Sequence, residues 1–379
     1  MSTVAESSQE DERLARVVLS RAAEPGDPTV ASLLDQMSAR EAVQAQLVPK
    51  PGSQLHLRLR KVDPVRELEQ AHKMGIRFVI PGDAEWPSQL DDLSQCSLEW
   101  LGMGGTPTGL WVKGPMPLTA LERSVGVVGS RAATTYGTCA ANEIAAVVAR
   151  AGLPIVSGAA FGIDEAAHRG AVASGGSTVA VLACGVDRAY PAAHEDLLAH
   201  LGRHFAVVSE SPPGAAITRL RFLTRNRLIA ALTTGTVIVE AAIRSGALNT
   251  ANWGQALNRT VMGVPGPITV AQSEGVHQWI RSGGATLVTN GEEVLEQVGA
   301  SGEHLLDVPR EPPRPRDALS MADQRLLEAV PLVRPADVAS IARVANTHVR
   351  DADRGLRRLE RSGFVSLVEQ RWRQTVAGS

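Results

Sequence analysis

Seven short apolar runs between residues 125 and 288 constrain this chain more than any other feature. They are Val125-Val128, Pro154-Val156, Thr178-Ala183, Ala206-Ser209, Thr236-Val239, Thr260-Val264 and Ala285-Val288. Each is brief, continuous and rich in Val, Ile or Leu, the pattern of strands buried on both faces. Ala-rich stretches of helical length separate most of them, among them Thr138 to Ala151 and Asp164 to Ser174. Strand and helix in regular alternation predict right-handed βαβ units, hence an α/β fold with an extended Rossmann-like parallel sheet. In such sheets ligands sit beyond the carboxyl ends of the strands.

Those ends carry the unusual residues. The first run leads into Gly129-Ser130-Arg131, the second into Ser157-Gly158-Ala159-Ala160-Phe161-Gly162-Ile163-Asp164. Cys184-Gly185, Asp187 and Tyr190-Pro191 follow the third, and Ser209-Glu210 with Pro213-Gly214 the fourth. Glu240 and Ser245-Gly246 follow the fifth, and Pro265-Gly266 the sixth. Glycine lets a backbone approach a ligand, and a helix N-terminus offers N–H groups to an anion. Six such loops on one sheet edge predict a phosphate site. Arg131 can fork onto a phosphate. Ser157, Gly158 and Gly162 are expected to present N–H groups, with Asp164 capping the following helix. Arg225 and Arg227 flank Asn226 at a helix start and are candidate phosphate ligands, while Asn226 fastens the loop. Phe161 either stacks a base or plugs the core, and His168 reads as structural. Glu240 is expected to orient an arginine or cap a helix.

The same loops exclude common nucleotide enzymes. Gly126-Val127-Val128-Gly129-Ser130-Arg131 is not a dinucleotide fingerprint, and no G-x-x-x-x-G-K-[ST] occurs. The last lysine is Lys113, so the α/β region has none. No paired carboxylates share a loop. These absences argue against an enzyme and for a ligand that is a phosphate polymer. No cofactor is implied. Three cysteines, Cys96, Cys139 and Cys184, show neither metal nor disulfide spacing and predict a cytoplasmic setting. The polar start, Met1 to Arg13, is no signal peptide, and no run reaches membrane length. Net charge is −2, so any basic surface must be segregated from acidic ones. Only 3% of the residues are aromatic, which points to electrostatic rather than stacking affinity.

Four regions are expected along the chain. Residues 1–75 read as short helices (Glu12-Ser20, Thr29-Gln36, Ala39-Gln46, Val62-Met74), a helix-hairpin-helix-like or SAM-like module. Residues 76–300 hold the Rossmann-like domain, beginning with a strand at Ile76. Residues 301–317 are a Pro-rich linker. Residues 318–379 read as helices Ala322-Val330, Ala336-Val344 and Thr347-Ser362, then a wing from Phe364-Glu369 and Arg373-Val376, a winged helix-turn-helix. On its third helix Arg350, Arg354, Arg357 and Arg361 share one face, opposite Val349, Ala352, Leu356 and Leu359. That face suits duplex DNA or a protein partner.

The residues resemble one family in detail. Gly129-Ser130-Arg131 with Tyr136-Gly137 is similar to its opening motif, and Val156 to Ala171 to its most characteristic stretch. Thr178 to Leu182 with Gly185, Asp187 and Tyr190-Pro191, then Ser209-Glu210, Arg225-Asn226-Arg227-Leu228-Ile229-Ala230, Val239-Glu240-Ala241-Ala242, Ser245-Gly246, Thr250-Ala251 and Val264-Pro265-Gly266 follow in order. This pattern, from about 75 to 300, resembles the DprA/Smf family of DNA-processing proteins of natural transformation. The resemblance implies a homodimeric Rossmann-like protein that binds single-stranded DNA, protects it, loads RecA onto it and catalyses no established reaction. Single-strand-binding protein is a further partner in that setting. Arg131 is implied as a DNA contact. Ser177 stands where some members carry a DNA-binding lysine, which would weaken that contact or shift it to Arg169 or Arg188. His194 and His277 stand where relatives have Asn and read as tolerated variants. Two alternatives remain. One is a nucleotide phosphoribohydrolase resembling the LOG proteins, although no P-G-G-x-G-T-x-x-E loop is present. The other is a nucleotide sensor acting through its winged helix.

Overall fold

The computed structural model describes residues 2–46, 55–98, 102–305 and 314–375. The chain divides into two compact units, Met1–Leu306 and Asp307–Ser379. The first opens with helices α1 (Ser2–Ala22), α2 (Pro28–Leu34), α3 (Ala39–Gln46), α4 (Leu55–Leu59) and α5 (Pro64–Lys73). Strand β1 (Ile76–Val79), a small hairpin of β2 (Ser97–Leu98) and β3 (Met103–Gly104), and β4 (Leu110–Lys113) follow. Then come β5 (Val125–Val128), α6 (Thr135–Arg150), β6 (Ile155–Ser157), α7 (Ile163–Ala173), β7 (Thr178–Val181), α8 (Glu195–His204) and β8 (Ala206–Ser209). The alternation continues through α9 (Arg219–Leu232), β9 (Gly235–Ile238), α10 (Ala247–Ala256), β10 (Thr260–Gly263), α11 (Ala271–Arg281), β11 (Thr286–Leu287) and α12 (Gly291–Val298).

The described residues form a nine-stranded sheet in the order β1-β4-β8-β7-β6-β5-β9-β10-β11. All seven predicted apolar runs contain or overlap its strands, and the strands from β8 to β11 are mutually parallel. The sheet is not wholly parallel: β4 runs antiparallel to both β8 and β1. Leu110, Trp111 and Val112 of β4 are fully buried, and the apolar run Leu-Trp-Val is the sequence signal of this additional strand. Strands β6, β7 and β8 extend to one side of β5, and β9, β10 and β11 to the other. The order therefore reverses between β5 and β9, which opens a crevice at their carboxyl ends.

Helices α1 to α5 fall in the same compact unit as the sheet. Val17 of α1 packs in one core with Phe78 of β1 and Trp111 of β4. The Trp111 indole N–H donates to Ser20 Oγ at 3.0 Å, and Arg13 binds both Asp83 and the Phe78 carbonyl. Ala15, Val18, Leu19 and Ala22 of α1 make a small core of their own with Val30, Ala39 and Leu59, while Val17 and the Trp111 and Arg13 contacts join this helical layer to the sheet.

The second unit holds α13 (Met321–Ala329), α14 (Val338–Val344), α15 (Val349–Arg361) and a hairpin of β12 (Val365–Val368) and β13 (Arg371–Gln374). Leu326, Ile341, Leu356, Leu359, Phe364 and Trp372 make its core. Val349, expected inside, is 51% exposed at the first turn of α15. Residues 306–313 of the expected linker and the wing's Val376 lie outside the described residues.

Candidate nucleic-acid interface

The crevice at the β5/β9 reversal is a cleft of about 980 Å³. Its lining comes from four places: the loop after β5 (Gly129, Ser130, Arg131), Ala160 and Asp164 before and in α7, the α9 face, and the loop from Ala242 into α10. These segments are held in register by backbone chemistry. The Ser130 N–H donates to the Glu240 carbonyl at 2.6 Å, and the Ser130 carbonyl accepts from Ile163 N–H at 3.2 Å. The Glu240 carboxylate accepts from Thr134 N–H (2.9 Å) and Thr134 Oγ1 (2.5 Å), where α6 begins. Glu240 thus pins the Gly129–Arg131 loop to the helix behind it, and its carboxylate is occupied by that cap.

Cations surround the opening. Arg131, Arg219 and Arg244 all line the cleft and are exposed. The Arg131 guanidinium lies over the Phe222 ring, 4.5 Å from its centroid, and Tyr190 sits against the same ring with centroids 5.7 Å apart. Such a stack holds a guanidinium in place without consuming its hydrogen-bond donors. Arg219, Phe222 and Arg244 were absent from the candidates. Arg219-x-x-Phe222-x-x-x-Asn226 is an i, i+3, i+7 stripe of one helix face, and that spacing was the readable signal.

Seven of the predicted residues converge on this cleft: Gly129, Ser130, Arg131, Arg225, Asn226, Ser245 and Gly246. Asn226 fastens the floor, donating from Nδ2 to the Gly246 carbonyl at 3.1 Å and accepting from Arg225 Nε at 3.2 Å. Arg225 is buried and donates Nη1 to the Val181 carbonyl. Burial lowers its guanidinium to about 10, against the raising influence of Asp164. It faces the cleft as a desolvated cation.

The stretch from Ser157 to Gly162 does something other than cradle a ligand. Ser157 is fully buried and donates Oγ to the Val127 carbonyl at 2.6 Å, tying β6 to β5. The helix α7 starts at Ile163, capped by Gly162 at φ +78°, so Asp164 lies inside the first turn and is not the cap. Its buried carboxylate accepts N–H bonds from Gly158 (3.2 Å), Ala160 (3.4 Å) and Gly129. The chain's own carboxylate therefore fills the anion seat expected for a phosphate. Burial raises the Asp164 carboxyl, and Arg225 with the three N–H donors works in the opposite direction. Gly158 is needed for close approach, since a Cβ there would collide with the Arg225 guanidinium.

Three further candidates fall outside the cleft. Arg227 is completely buried and forks onto Glu210 at 2.7 and 2.9 Å, which leaves it no donor face for a phosphate. Arg169 is exposed on α7 and pairs with Glu165 at 2.9 Å. Phe161 is neither core nor cleft: it is 45% exposed and meets the His194 ring edge-on, 4.8 Å between centroids. His194 is buried between the Ala159 carbonyl and Glu165, each 3.0 Å away, and so fixes the Phe161 loop. His277 Nε2 accepts from Gly266 N–H at 3.2 Å and holds the loop after β10. Ser177 lies at the amino end of β7, the sheet edge opposite the cleft. His168 is buried with Nδ1 2.7 Å from Thr178 Oγ1.

A doubly wound sheet with a cation-rimmed cleft at its reversal point defines a Rossmann-like binding domain of the kind that takes phosphate-bearing ligands. Residues 77–299 match the family model for DNA recombination-mediator protein A. The chain belongs to this family, DprA/Smf. It is 40% identical over 367 residues to the putative DNA processing protein DprA of Mycobacterium tuberculosis, covering 95% of this chain and 94% of the relative. It is 36% identical to protein Smf of Escherichia coli over 76% of this chain and 75% of that one. The solved structure of DNA processing protein A from Streptococcus pneumoniae superposes with a TM-score of 0.62 at 29% identity, over 74% of this chain and 95% of that one. The Helicobacter pylori protein, whose structure is described as revealing a unique single-stranded DNA binding mode, shares the fold at a TM-score of 0.51 and 23% identity, over 58% and 94%. No described helix is long and apolar enough to cross a membrane.

Proposed function

We propose that this chain is a single-stranded-DNA-binding recombination mediator whose ligand runs through the cleft between β5 and β9. The observation that carries the reading is the placement of Arg131, Arg219 and Arg244 on one rim, with Arg225 beneath them. The backbone of a polynucleotide offers charges to such a rim at every step, and a mononucleotide does not need three separate arginines. Tyr190, 40% exposed, and the half-buried Phe222 add ring surface next to Arg131, against which a base can stack. The single-stranded DNA binding described for the Helicobacter pylori relative supports the same ligand class here. The family's description as a recombination mediator supports transfer of the bound strand to RecA, in competition with single-strand-binding protein. In this reading the protein acts in the cytoplasm as a homodimer during DNA uptake, and it hydrolyses no nucleotide itself.

The test is binding of single-stranded oligonucleotides across a salt series, with duplex as comparison. Each neutralised phosphate contributes about −0.7 to the log–log slope for a single strand. Arg131→Ala is expected to weaken binding and to reduce the slope by about one contact. A flat salt response, or an Arg131→Ala chain that folds and binds unchanged, overturns the cleft as the site. Added to RecA on strand covered by single-strand-binding protein, the wild type is expected to shorten the lag in RecA's ATPase; an unchanged lag overturns the mediator role.

A further inference from the structure

We infer that the second unit carries a separate nucleic-acid face that takes duplex DNA through α15 and the β12–β13 hairpin. The first support is charge. Residues 314–375 contain twelve arginines and eight carboxylates, while the whole chain carries a net −2. The positive charge is concentrated where it can act at a distance.

The second support is which arginines the fold leaves outward. Arg350, Arg354, Arg357 and Arg361 are exposed and fall within about 60° of one another around α15. Ala352, Gly355, Leu356 and Leu359 form the opposite, buried face. The basic row spans about 16 Å along the axis, within reach of one stretch of major groove. Arg358 is turned away from this row and holds Asp323 of α13 at 2.6 Å, which fixes the helix on its neighbour. The carboxylates flanking the row bind loosely: Asp351 is 4.0 Å from Arg354, and the Asp353–Arg357 pair at 3.1 Å is solvent-exposed. Exposed pairs of this kind are weak enough to yield to phosphates.

The third support is the hairpin. Trp372 is buried and pairs across the backbone with Ala336, exchanging N–H bonds of 3.0 and 2.7 Å. Alternation along β13 then turns Arg371 and Arg373 to solvent on either side of it. Helix row and hairpin arginines together match the two-part grip of a winged helix-turn-helix on B-form DNA. At the start of the same helix Val349, with Val344 just before the turn, is exposed, and an apolar side chain at that end suits a thymine methyl. A protein partner would explain the two valines but not six outward arginines.

The experiment uses the full chain and a blunt-ended duplex longer than one helical turn. Wild type is expected to bind it with a log–log salt slope of about −0.9 per phosphate. Arg350→Ala/Arg354→Ala/Arg357→Ala/Arg361→Ala is expected to lose tenfold or more in duplex affinity and up to about 3.6 in slope, with single-strand affinity and melting temperature unchanged. Arg371→Ala/Arg373→Ala is expected to give a smaller loss of the same kind. Arg131→Ala is expected to leave duplex binding as in wild type, so failure here is separable from failure of the cleft. Absence of duplex binding by wild type, an unchanged slope in the fourfold variant, or equal affinity for an A-form RNA duplex would each overturn the inference.

Discussion

The arginines beneath the cleft and those on its rim are the same residue in opposite employment. Arg227 is sealed in the protein on Glu210, and Arg225 is buried against the Val181 carbonyl. Arg131, Arg219 and Arg244 line the cleft and keep their donors in solvent. The inner pair is committed to the fold, and the outer three are available to a ligand. The R-N-R motif does not stand at the expected helix start: α9 begins at Arg219, so Arg225-Asn226-Arg227 lies in mid-helix with no free backbone N–H groups to offer an anion, and the motif does not announce phosphate binding. Helix geometry sends successive arginines in different directions, and burial decides which of them has a free face.

The largest way to break this comparison is Arg227→Ala. It strands the Glu210 carboxylate, 6% exposed, without its partner. Removing one member of a buried pair costs roughly 3–5 kcal/mol. Urea unfolding is expected to show that loss, while the protein that remains folded binds single-stranded DNA with the wild-type salt slope. A reduced slope in that protein would return Arg227 to the ligand.

The second prediction concerns the interior beside Arg225. Thr178 Oγ1 donates to the Ile155 carbonyl at 2.8 Å, so its lone pair accepts from His168 and the imidazole carries its proton on Nδ1. Burial, with His194 and Arg225 nearby, lowers the ring to about 3. The unfolded chain protonates this histidine below its ordinary value of 6.5, and the folded chain only near 3. Stability is therefore lost as pH falls through that window, by up to about 1.4 kcal/mol per pH unit. Asp164, whose carboxyl is raised by burial, acts in the opposite sense. His168→Gln is expected to remove the histidine's share of the slope between pH 6.5 and 4, measured by urea unfolding at each pH. Parallel profiles for the two proteins would mean that the ring is charged in the fold.

Much of the architecture was legible because it rests on local pattern. Short Val/Ile runs separated by Ala-rich helices specify parallel strands, and all of them appear in the sheet. The convergence of Gly129, Arg131 and Ser245 followed from placing loops at carboxyl strand ends. What could not be read depends on contacts between distant residues. Asp164 occupies the anion seat only because Gly129 and Gly158 are brought to it by two different strands. The joining of α1 to the core uses Ser20 meeting Trp111, 91 residues away, and Arg13 meeting Asp83, 70 residues away. The antiparallel β4 is as long as most of its neighbours, but it follows glycine-rich chain and lies outside the strand–helix alternation that marks the parallel strands.

The rim itself is tested by Phe222→Ala. The half-buried ring supports the Arg131 guanidinium, packs beside Tyr190 and lines the cleft. Loss of one base-stacking platform costs about 1–3 kcal/mol in single-strand binding. The expected signature differs from that of Arg131→Ala: affinity falls with little change in the number of ions released. A change in slope equal to that of Arg131→Ala would show that Phe222 acts only by positioning the arginine.

The smallest expected effect sharpens the comparison most. Arg169 is exposed like the rim arginines, but it stands on α7 outside the cleft, with its guanidinium on Glu165 one turn earlier. A solvent-exposed i, i+4 pair contributes about 0.3–0.5 kcal/mol, and its loss leaves no buried charge uncompensated. Glu165 keeps its second partner, His194 Nε2 at 3.0 Å, so the Phe161 loop stays anchored. Arg169→Ala is accordingly expected to shift stability within that range and to leave single-strand affinity and salt slope at wild-type values. If exposure alone made an arginine a ligand, this variant would lose about one phosphate contact in the slope, as Arg131→Ala does. Measured side by side, the two exposed arginines separate position from accessibility. A slope change at Arg169 would extend the DNA path over α7, and its absence confines the path to the reversal point between β5 and β9.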